Sequence, residues 1–269
     1  MSVRKRKWTT GAGVEKEAWV VDYVDGKGKR RLKTFAKKKD ADVFASTASV
    51  EVRAGVHVAD SESVTIAKAG EFWIASAETA GLERSTIRQY RQHLDLHIVP
   101  MIGETLLTKL TVPALRAFED QLHDEGRSPA MVRKILVSLG SMLADAQERG
   151  LVIRNAVREK SKARVRGGQE RRQKGKLKVG VDIPTTAEIK AIVGALEGRW
   201  KPLLLTAIFT GMRASELRGL TWDAVDLEKR AIRVHQRADR FNAIGRPKSE
   251  AGERTVPIPP LVANTLREW

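Results

Sequence analysis

The residues best suited to chemistry stand in one short string, Gly211-Met-Arg-Ala-Ser-Glu-Leu217. It follows a strongly apolar helical segment, 203–210, so Arg213 emerges where a hydrophobic helix ends. A guanidinium at such a place is costly to desolvate unless it is paired, and its planar fork suits a phosphate group. Glu216, one helical turn further on, is placed to orient it. From these residues alone, a phosphate-binding arginine and a purely structural Arg213–Glu216 ion pair are equally open.

The elements around this string are predicted from local signals. Thr185 or Thr186 is expected to cap a preceding helix, and Pro202 to begin the apolar one. Two strands are expected at 231–235 and 254–258, separated by a polar loop that contains Arg246, Lys248 and Arg254. This loop thus contributes further basic residues to the part of the chain that contains Arg213.

Residues 64–150 predict four helices with apolar residues at helical spacing. Thr65, Ser85, Thr111 and Ser128 are the expected N-caps, Pro100 is expected to end the second helix, and Gly150 the fourth. The apolar stripes, including Tyr90, are interpreted as core. Basic residues cluster around two helix starts, where free backbone N–H groups also favour phosphates; they are Arg84, Arg88, Arg91, Arg127, Arg133 and Lys134.

The N-terminal residues predict a two-stranded ribbon, 18–24 and 29–36, joined by an Asp-Gly turn and followed by a helix at 38–54. A basic ribbon of this kind can enter a DNA groove, although a charged solvent-facing surface is the ordinary alternative. The candidate contacts are Lys27, Lys29, Arg30, Arg31 and Lys33.

Positive charge is concentrated in two parts of the chain. The 269 residues carry 49 Lys+Arg against 33 Asp+Glu, a formal net charge of +16. Residues 1–60 hold 14 basic and 8 acidic residues, and residues 161–178 hold 8 and 1. The second segment lacks apolar periodicity and predicts a basic linker, either a solvated tether or one that lies along DNA phosphates through residues such as Arg171 and Arg172.

Composition excludes several classes of protein. With no cysteine there is no disulfide, thiol nucleophile or cysteine-based metal site. No apolar run is long enough to span a membrane, and the charged N-terminus is not followed by the apolar segment of a secretory signal. We therefore expect no membrane partner.

Several motifs together resemble the tyrosine recombinases of the phage integrase type. Thr210-Gly-Met-Arg-Ala-Ser-Glu-Leu-Arg-Gly-Leu220-Thr-Trp-Asp223 is similar to their first catalytic-arginine box, and Pro247–Pro257 to the β-hairpin with the catalytic lysine. Val64–Gly150, which contains His97-Ile-Val-Pro-Met-Ile-Gly103, resembles the core-type DNA-binding domain. Trp19–Phe44 is similar to the arm-type domain.

The resemblance implies a mainly α, multidomain chain. Its parts would be an arm-type domain of β-ribbon and helix at 1–60, a four-helix core-type domain at 61–160, a basic linker at 161–183, and the first part of an α+β catalytic domain at 184–269. It also implies strand exchange through a covalent phosphotyrosine, with no metal, ATP or other cofactor, and a bacterial cytoplasmic, nucleoid-associated location. Arg213 would bind the non-bridging phosphate oxygens, Lys248 would protonate the leaving 5′-oxygen, and Glu216 would support Arg213.

Part of the family's active site is absent from these residues. The only tyrosines, Tyr23 and Tyr90, precede Arg213, and no His-x-x-Arg string occurs. We therefore expect an integrase with an incomplete catalytic domain, which binds attachment-site duplex DNA, with further integrase subunits on that DNA, but does not cleave it alone. The alternatives are a non-catalytic DNA-binding regulator that competes with an intact integrase, and a basic adaptor for RNA or membranes.

Overall fold

The computed structural model describes residues 1–11, 13–55, 57–165 and 177–269. The chain divides into two units, residues 1–169 and 170–269. In the described part of the first unit the strands are β1 (Ser2–Thr9), β2 (Glu15–Val24) and β3 (Arg30–Phe35), and the helices are α1 (Lys38–Arg53), α2 (Ile66–Thr79), α3 (Arg84–His93), α4 (Val99–Ile102), α5 (Val112–Asp124), α6 (Pro129–Glu148) and α7 (Ala156–Val165).

The N-terminal sheet has three antiparallel strands in the order β1-β2-β3. The sequence predicted β2, β3 and α1, but not β1, because its basic run was interpreted as a charged terminus. Side chains alternate between the faces of a strand, and one face of this sheet packs on α1. The small core between them contains Val21, Tyr23 and Ala41, with Phe35 and Phe44 packed against it.

The helical part of the first unit is built around a continuous core in which Phe118, Leu115 and Ile135 are fully buried. Side chains of Thr65, Thr111 and Ser128 accept backbone N–H groups at the starts of α2, α5 and α6, so these three predicted caps are confirmed. A further helix, α7, lies beyond the four that were predicted, and it reaches Val165, inside the range assigned to the linker.

Two predictions about α3 are wrong. Its N-cap is Glu83, without a side-chain cap, so Ser85 already lies inside the helix. Pro100 does not end the helical segment, because a π-helical turn, Leu94–Ile98, leads into α4 and Pro100 occupies an early position of α4. Proline is tolerated at an early helical position because its φ is already helical.

The second unit begins, in its described part, near residue 177. Its helices are α8 (Thr186–Ala195), α9 (Lys201–Thr210), α10 (Ala214–Arg218) and α11 (Pro260–Glu268); its strands are β4 (Val225–Asp226), β5 (Ala231–Val234), β6 (Arg237–Ala238), β7 (Ile244–Gly245) and β8 (Arg254–Pro257). Strands β4, β5 and β8 form one sheet, and β6 with β7 a small hairpin. Thr185 caps α8 in a capping box with Glu188, as one of the two predicted caps.

The core of the second unit joins its sheet to α9 and α11 through Leu205, Ile232 and Val262. The sequence predicted α9 as a strongly apolar helix, and the structure shows that it is only partly buried. Leu203, Leu204, Ile208 and Phe209 are all exposed among the described residues. The helix is apolar on all sides, but α10 and α11 cover only one side of it.

Candidate phosphate-binding site and nucleic-acid interface

Arg213 is positioned by an abrupt change of direction between α9 and α10. Gly211 ends α9 in the left-handed region, at φ 61°, which favours glycine. Met212 is buried in the core of the second unit, and Arg213 follows as the N-cap residue of α10. One buried anchor thus fixes the backbone next to an arginine whose side chain is 66% exposed.

Glu216 is the buried centre of the site. Its side chain is 2% exposed. One carboxylate oxygen, Oε2, accepts the backbone N–H of Arg213 at 2.9 Å, and Oε1 accepts Nη1 of the same residue at 2.9 Å. The Arg213–Glu216 pair, which the spacing suggested, is therefore present. It orients the guanidinium of Arg213 at the start of α10.

A second arginine holds Glu216 more firmly than Arg213 does. Arg254, on β8, donates from Nη1 to Oε1 at 3.2 Å and from Nη2 to Oε2 at 2.9 Å, a two-point ion pair across 38 residues of sequence. These bonds have the largest effect on the pKa of the Glu216 carboxyl. Burial opposes them, the bonds from Arg213 reinforce them, and the pKa falls to about 2. Glu216 is thus a fixed anion between two guanidinium groups.

Arg254 was not among the residues that the sequence assigned to the site. Its only signal was membership of the basic loop and strand that carry Lys248. Strand β8 pairs with β5 so that Arg254 lies opposite Val234, and this register determines its contact with Glu216. Because a shift of one residue would turn its side chain to the other face of the sheet, the contact depends on tertiary pairing.

Lys248 is exposed and lies in the loop between β7 and β8. Within the described ranges its side chain makes no hydrogen bond or ion pair, and it is not joined to Arg213, Glu216 or Arg254. Two glycines near it are closely approached by neighbouring residues. A Cβ on Gly219, at the end of α10, would lie 2.6 Å from the carbonyl carbon of Arg237, and a Cβ on Gly252 would lie 2.7 Å from Pro247. Neither position has room for a side chain.

The five predicted cations of the N-terminal ribbon lie in different environments. Arg31 is 12% exposed and binds Asp25 and Glu62. Lys27 also binds Glu62, at 3.0 Å, and Lys33 binds Asp60 at 2.7 Å. These three cations are therefore paired with carboxylates, and two of those carboxylates, Asp60 and Glu62, belong to a single turn, Asp60–Glu62.

The Asp60–Glu62 turn joins the sheet to the helical part of the first unit. Asp60 accepts Nζ of Lys33 from the sheet and Nζ of Lys109, just before α5, at 3.0 Å. Burial by itself would raise the pKa of Asp60, but the bonds from the two lysines outweigh it and hold the value at about 2. The carboxylates of this turn thus bind Lys27, Arg31 and Lys33, which the sequence analysis had assigned to DNA binding.

The other two ribbon residues face solvent. Lys29 is exposed without a side-chain partner in the described part of the chain, and Arg30 pairs with Asp22. In the register of the sheet, Arg30 shares the face opposite α1 with Arg4 and Arg6 of β1. These two arginines were missed because β1 was not recognised as a strand. The alternation of Arg4, Arg6 and Trp8 was the available signal.

The helical cations are all exposed, namely Arg84, Arg88, Arg91, Arg127, Arg133 and Lys134. Arg91 pairs with Glu78 at 2.8 Å. At the start of α6, Lys134 and Arg127 lie close enough to His93 and His97 to affect their titration. Burial is the larger cause, and together with these positive charges it lowers the pKa of both imidazoles. Arg171 and Arg172 lie outside the described residues.

No helix in the described ranges is both long and apolar enough to cross a membrane. Over the same ranges, no three His, Asp or Glu side chains are grouped so that they could hold a metal ion.

Residues 184–269 match the model of the phage integrase family. Over 262 residues the chain is 26% identical to a "Tyrosine recombinase XerC-like" protein of Caldanaerobacter subterraneus, covering 91% of this chain and 65% of that protein. It is 26% identical over 193 residues to "Prophage integrase IntR" of Escherichia coli, covering 72% of this chain and 41% of the relative. Residues 184–269 therefore belong to the phage integrase family, and the chain as a whole is similar to tyrosine recombinases. It spans less than two thirds of the length of these relatives.

Solved structures agree at the level of the fold. The Tn1549 transposon integrase in complex with a circular intermediate DNA superposes with a TM-score of 0.59 at 16% identity, over 74% of this chain and 64% of that one. A lambda integrase dimer bound to a COC′ core site gives 0.51 at 18% identity, over 93% and 65%. The chain therefore has an integrase-like fold, mainly helical with small sheets.

Proposed function

We propose that this chain binds duplex DNA at attachment-type sites as part of site-specific integration, and that Arg213 binds a backbone phosphate there. The observation that carries the proposal is a largely exposed guanidinium held on a buried carboxylate. Such a group presents several N–H donors in a fixed fork to a phosphate and needs little reorganisation to do so. Lys248, exposed in the loop before β8, would donate a proton to a leaving 5′-oxygen.

In the first unit, we propose that residues 1–60 form an arm-type and residues 61–160 a core-type DNA-binding domain, with the basic linker and the catalytic part following. The face of the sheet opposite α1 is the arm surface, since it carries Arg4, Arg6 and Arg30. Neighbouring strands are about 4.8 Å apart, so three strands span roughly 10 Å, which fits a major groove about 12 Å wide. Relatives of known structure are bound to DNA, which supports this assignment.

The DNA-binding proposal can be tested by titrating a 40-base-pair duplex of mixed sequence between 50 and 200 mM salt. We expect log K to fall steeply with log salt, because each phosphate contact releases counterions. Replacing Arg4 and Arg6 by Gln should reduce the slope by about 1.8, from about 0.9 per contact. The matched control replaces Lys5 and Lys7, which lie on the α1 side of the same strand and pair with Glu17.

The control should leave the slope almost unchanged. Equal losses in the two double variants would show that the arm surface is assigned to the wrong face. A salt-independent affinity, or equal affinity for single-stranded RNA, would contradict duplex binding itself.

For the reaction, we propose that a polypeptide of these 269 residues does not cleave DNA alone, because no tyrosine follows Arg213 and no His-x-x-Arg string is present. A nicked suicide duplex carrying an attachment site, incubated with the chain and analysed under denaturing conditions, should give no covalent adduct. An adduct would contradict this.

A second candidate function, which requires only the exposed cations of the first unit, is a DNA-binding regulator that occupies sites used by an intact integrase. In a reporter assay with such an integrase, this candidate predicts dose-dependent loss of recombination and no recombination by the chain itself. Unchanged recombination at saturating DNA occupancy would exclude it.

A further inference from the structure

The charges around Glu216 do not cancel. One buried carboxylate contacts two guanidinium groups, so the group of three has a formal charge of +1. Arg254 engages both carboxylate oxygens with its side chain, whereas the side chain of Arg213 engages one of them through Nη1. Among the described residues, Nε and Nη2 of Arg213 have no protein partner. The positive charge that remains is therefore presented by Arg213, the more exposed arginine.

This arrangement depends on which arginine satisfies the carboxylate. A buried carboxylate requires a cation and hydrogen bonds. If Arg254 were absent, Arg213 would be the remaining cationic partner of Glu216 in the described part of the unit. The guanidinium of Arg213 would then bind both oxygens of Glu216, and the pair would have zero net charge. Fewer of its N–H groups, and a weaker positive potential, would remain for an external phosphate.

We propose that Arg254 is a positioning residue that binds Glu216 so that the guanidinium of Arg213 keeps its charge and free N–H groups for a DNA phosphate. This rests on the proposed function, in which Arg213 contacts that phosphate. Arg254 acts through Glu216 rather than on the phosphate itself.

The placement of Arg254 suits this role. Its side chain is 32% exposed, about half the exposure of the Arg213 side chain, and Nη1 also donates to the backbone carbonyl of Gly252 at 3.0 Å. The strand that carries it is held by β5. Its planar fork matches both oxygens of a carboxylate, which a lysine ammonium cannot do from one point.

The test is a cycle of variants in the full chain, with the same 40-base-pair duplex and the slope of log K against log salt as readout. Arg254→Gln should flatten the slope by about 0.9, the value for one lost phosphate contact, as Arg213→Gln does. Adding Glu216→Gln to Arg254→Gln should restore the slope, because no carboxylate is left to neutralise Arg213. Arg233→Gln is the matched control, since Arg233 is an exposed arginine of β5 paired with Glu253, and it should leave the slope unchanged.

Recovery in the Glu216→Gln, Arg254→Gln double variant is the decisive result, because a merely structural role of Arg254 would not be repaired by removing its partner. If the double variant stays as defective as Arg254→Gln, Arg254 contacts DNA directly and the inference is overturned. An unchanged slope in Arg254→Gln overturns it as well.

Failure of the proposed function gives a different result, since Arg213→Gln would then have no effect on the wild-type slope. If Arg254→Gln alone does not fold, Arg254→Lys and the double variant carry the test. In both variants Arg213 keeps its positive charge available for a phosphate. Their affinity for the duplex should therefore lie within about twofold of that of the wild type. A slope reduced as far as in Arg213→Gln in either of them overturns the inference.

Discussion

Replacing Glu216 by Gln measures how much the charge of this carboxylate contributes to the stability of the second unit. The pKa of this carboxyl is about 2 in the folded chain against 4.5 for an unperturbed glutamate. A difference of that size corresponds to roughly 3 kcal/mol of preference for the charged form in the folded state. Glutamine has nearly the same shape as protonated glutamate. We therefore expect Glu216→Gln to lower the free energy of unfolding of the second unit by on the order of 3 kcal/mol at pH 7.

The effect should depend on pH in a defined direction. Because the folded pKa lies below the unfolded one, the stabilisation is fully present above about pH 4.5 and disappears as the pH falls towards about 2. The wild type and the Gln variant should therefore differ most at pH 7 and converge in acid. The variant itself should lack this part of the pH dependence.

The assay must read the second unit separately, because both units contain tryptophans. Hydrogen-exchange pulse labelling across a urea series, followed on peptides from β5 and β8, meets this requirement. For a unit of this size, 3 kcal/mol corresponds to a shift of the midpoint by roughly 1 to 3 M urea. Glu253→Gln is the control, because Glu253 pairs with Arg233 on the exposed surface, and its shift should be small.

A shift in Glu216→Gln no larger than that of the control at pH 7 would refute the reasoning. So would a large shift that is the same at pH 3 as at pH 7, since the loss would then come from packing rather than from charge.

Three further predictions concern other contacts. The buried His93 and His97 have lowered pKa values, so the first unit should be most stable above about pH 6.5 and lose stability below it; urea midpoints at pH 7.5 and 5 measure this, and replacing both by Gln should reduce the difference. Gly219→Ala should cost about 1 to 3 kcal/mol through its clash with β6, whereas Gly245→Ala meets no atom within 4 Å and should be nearly neutral in thermal unfolding. Asp60→Asn should release Lys33 and Lys109 and steepen the salt slope of DNA binding by up to about 1.8.

Each of these has a contrary outcome. A pH-independent midpoint would mean that the histidines accept protons without penalty in the folded state. Equal melting of the two glycine variants would mean that β6 moves away at no cost. A flatter slope in Asp60→Asn would mean that the turn orders the sheet for DNA instead of competing with it.

Local signals predicted most of the helices. The caps at Thr65, Thr111, Ser128 and Thr185 are confirmed because a cap requires only a side-chain oxygen and the next few backbone N–H groups. Gly211 ends α9 for the same kind of reason, since only the local backbone conformation is involved. The miss at Pro100 had a local cause too, a π-helical turn that the apolar spacing did not indicate.

Strand β1 and its arginines were missed for a different reason. A strand of alternating charges has little apolar periodicity, and it is stabilised by its pairing with β2 rather than by its own composition. Because β1 was not predicted, the sequence did not show which face of the sheet each of the five ribbon cations occupies. It also did not show that carboxylates of the Asp60–Glu62 turn bind some of them.

By itself, the sequence determined the charge distribution, the string around Arg213, the i,i+3 spacing of Glu216, and the absence of any tyrosine after Arg213. These are properties of composition and of neighbours within one helical turn. Only the tertiary structure decided that Arg254 binds Glu216, that Arg31 and Lys33 bind carboxylates on the α1 side of the sheet, and that Arg4 and Arg6 are exposed on its other face. Those contacts join residues far apart in the chain, and strand register, which one residue of slip would invert, sets them.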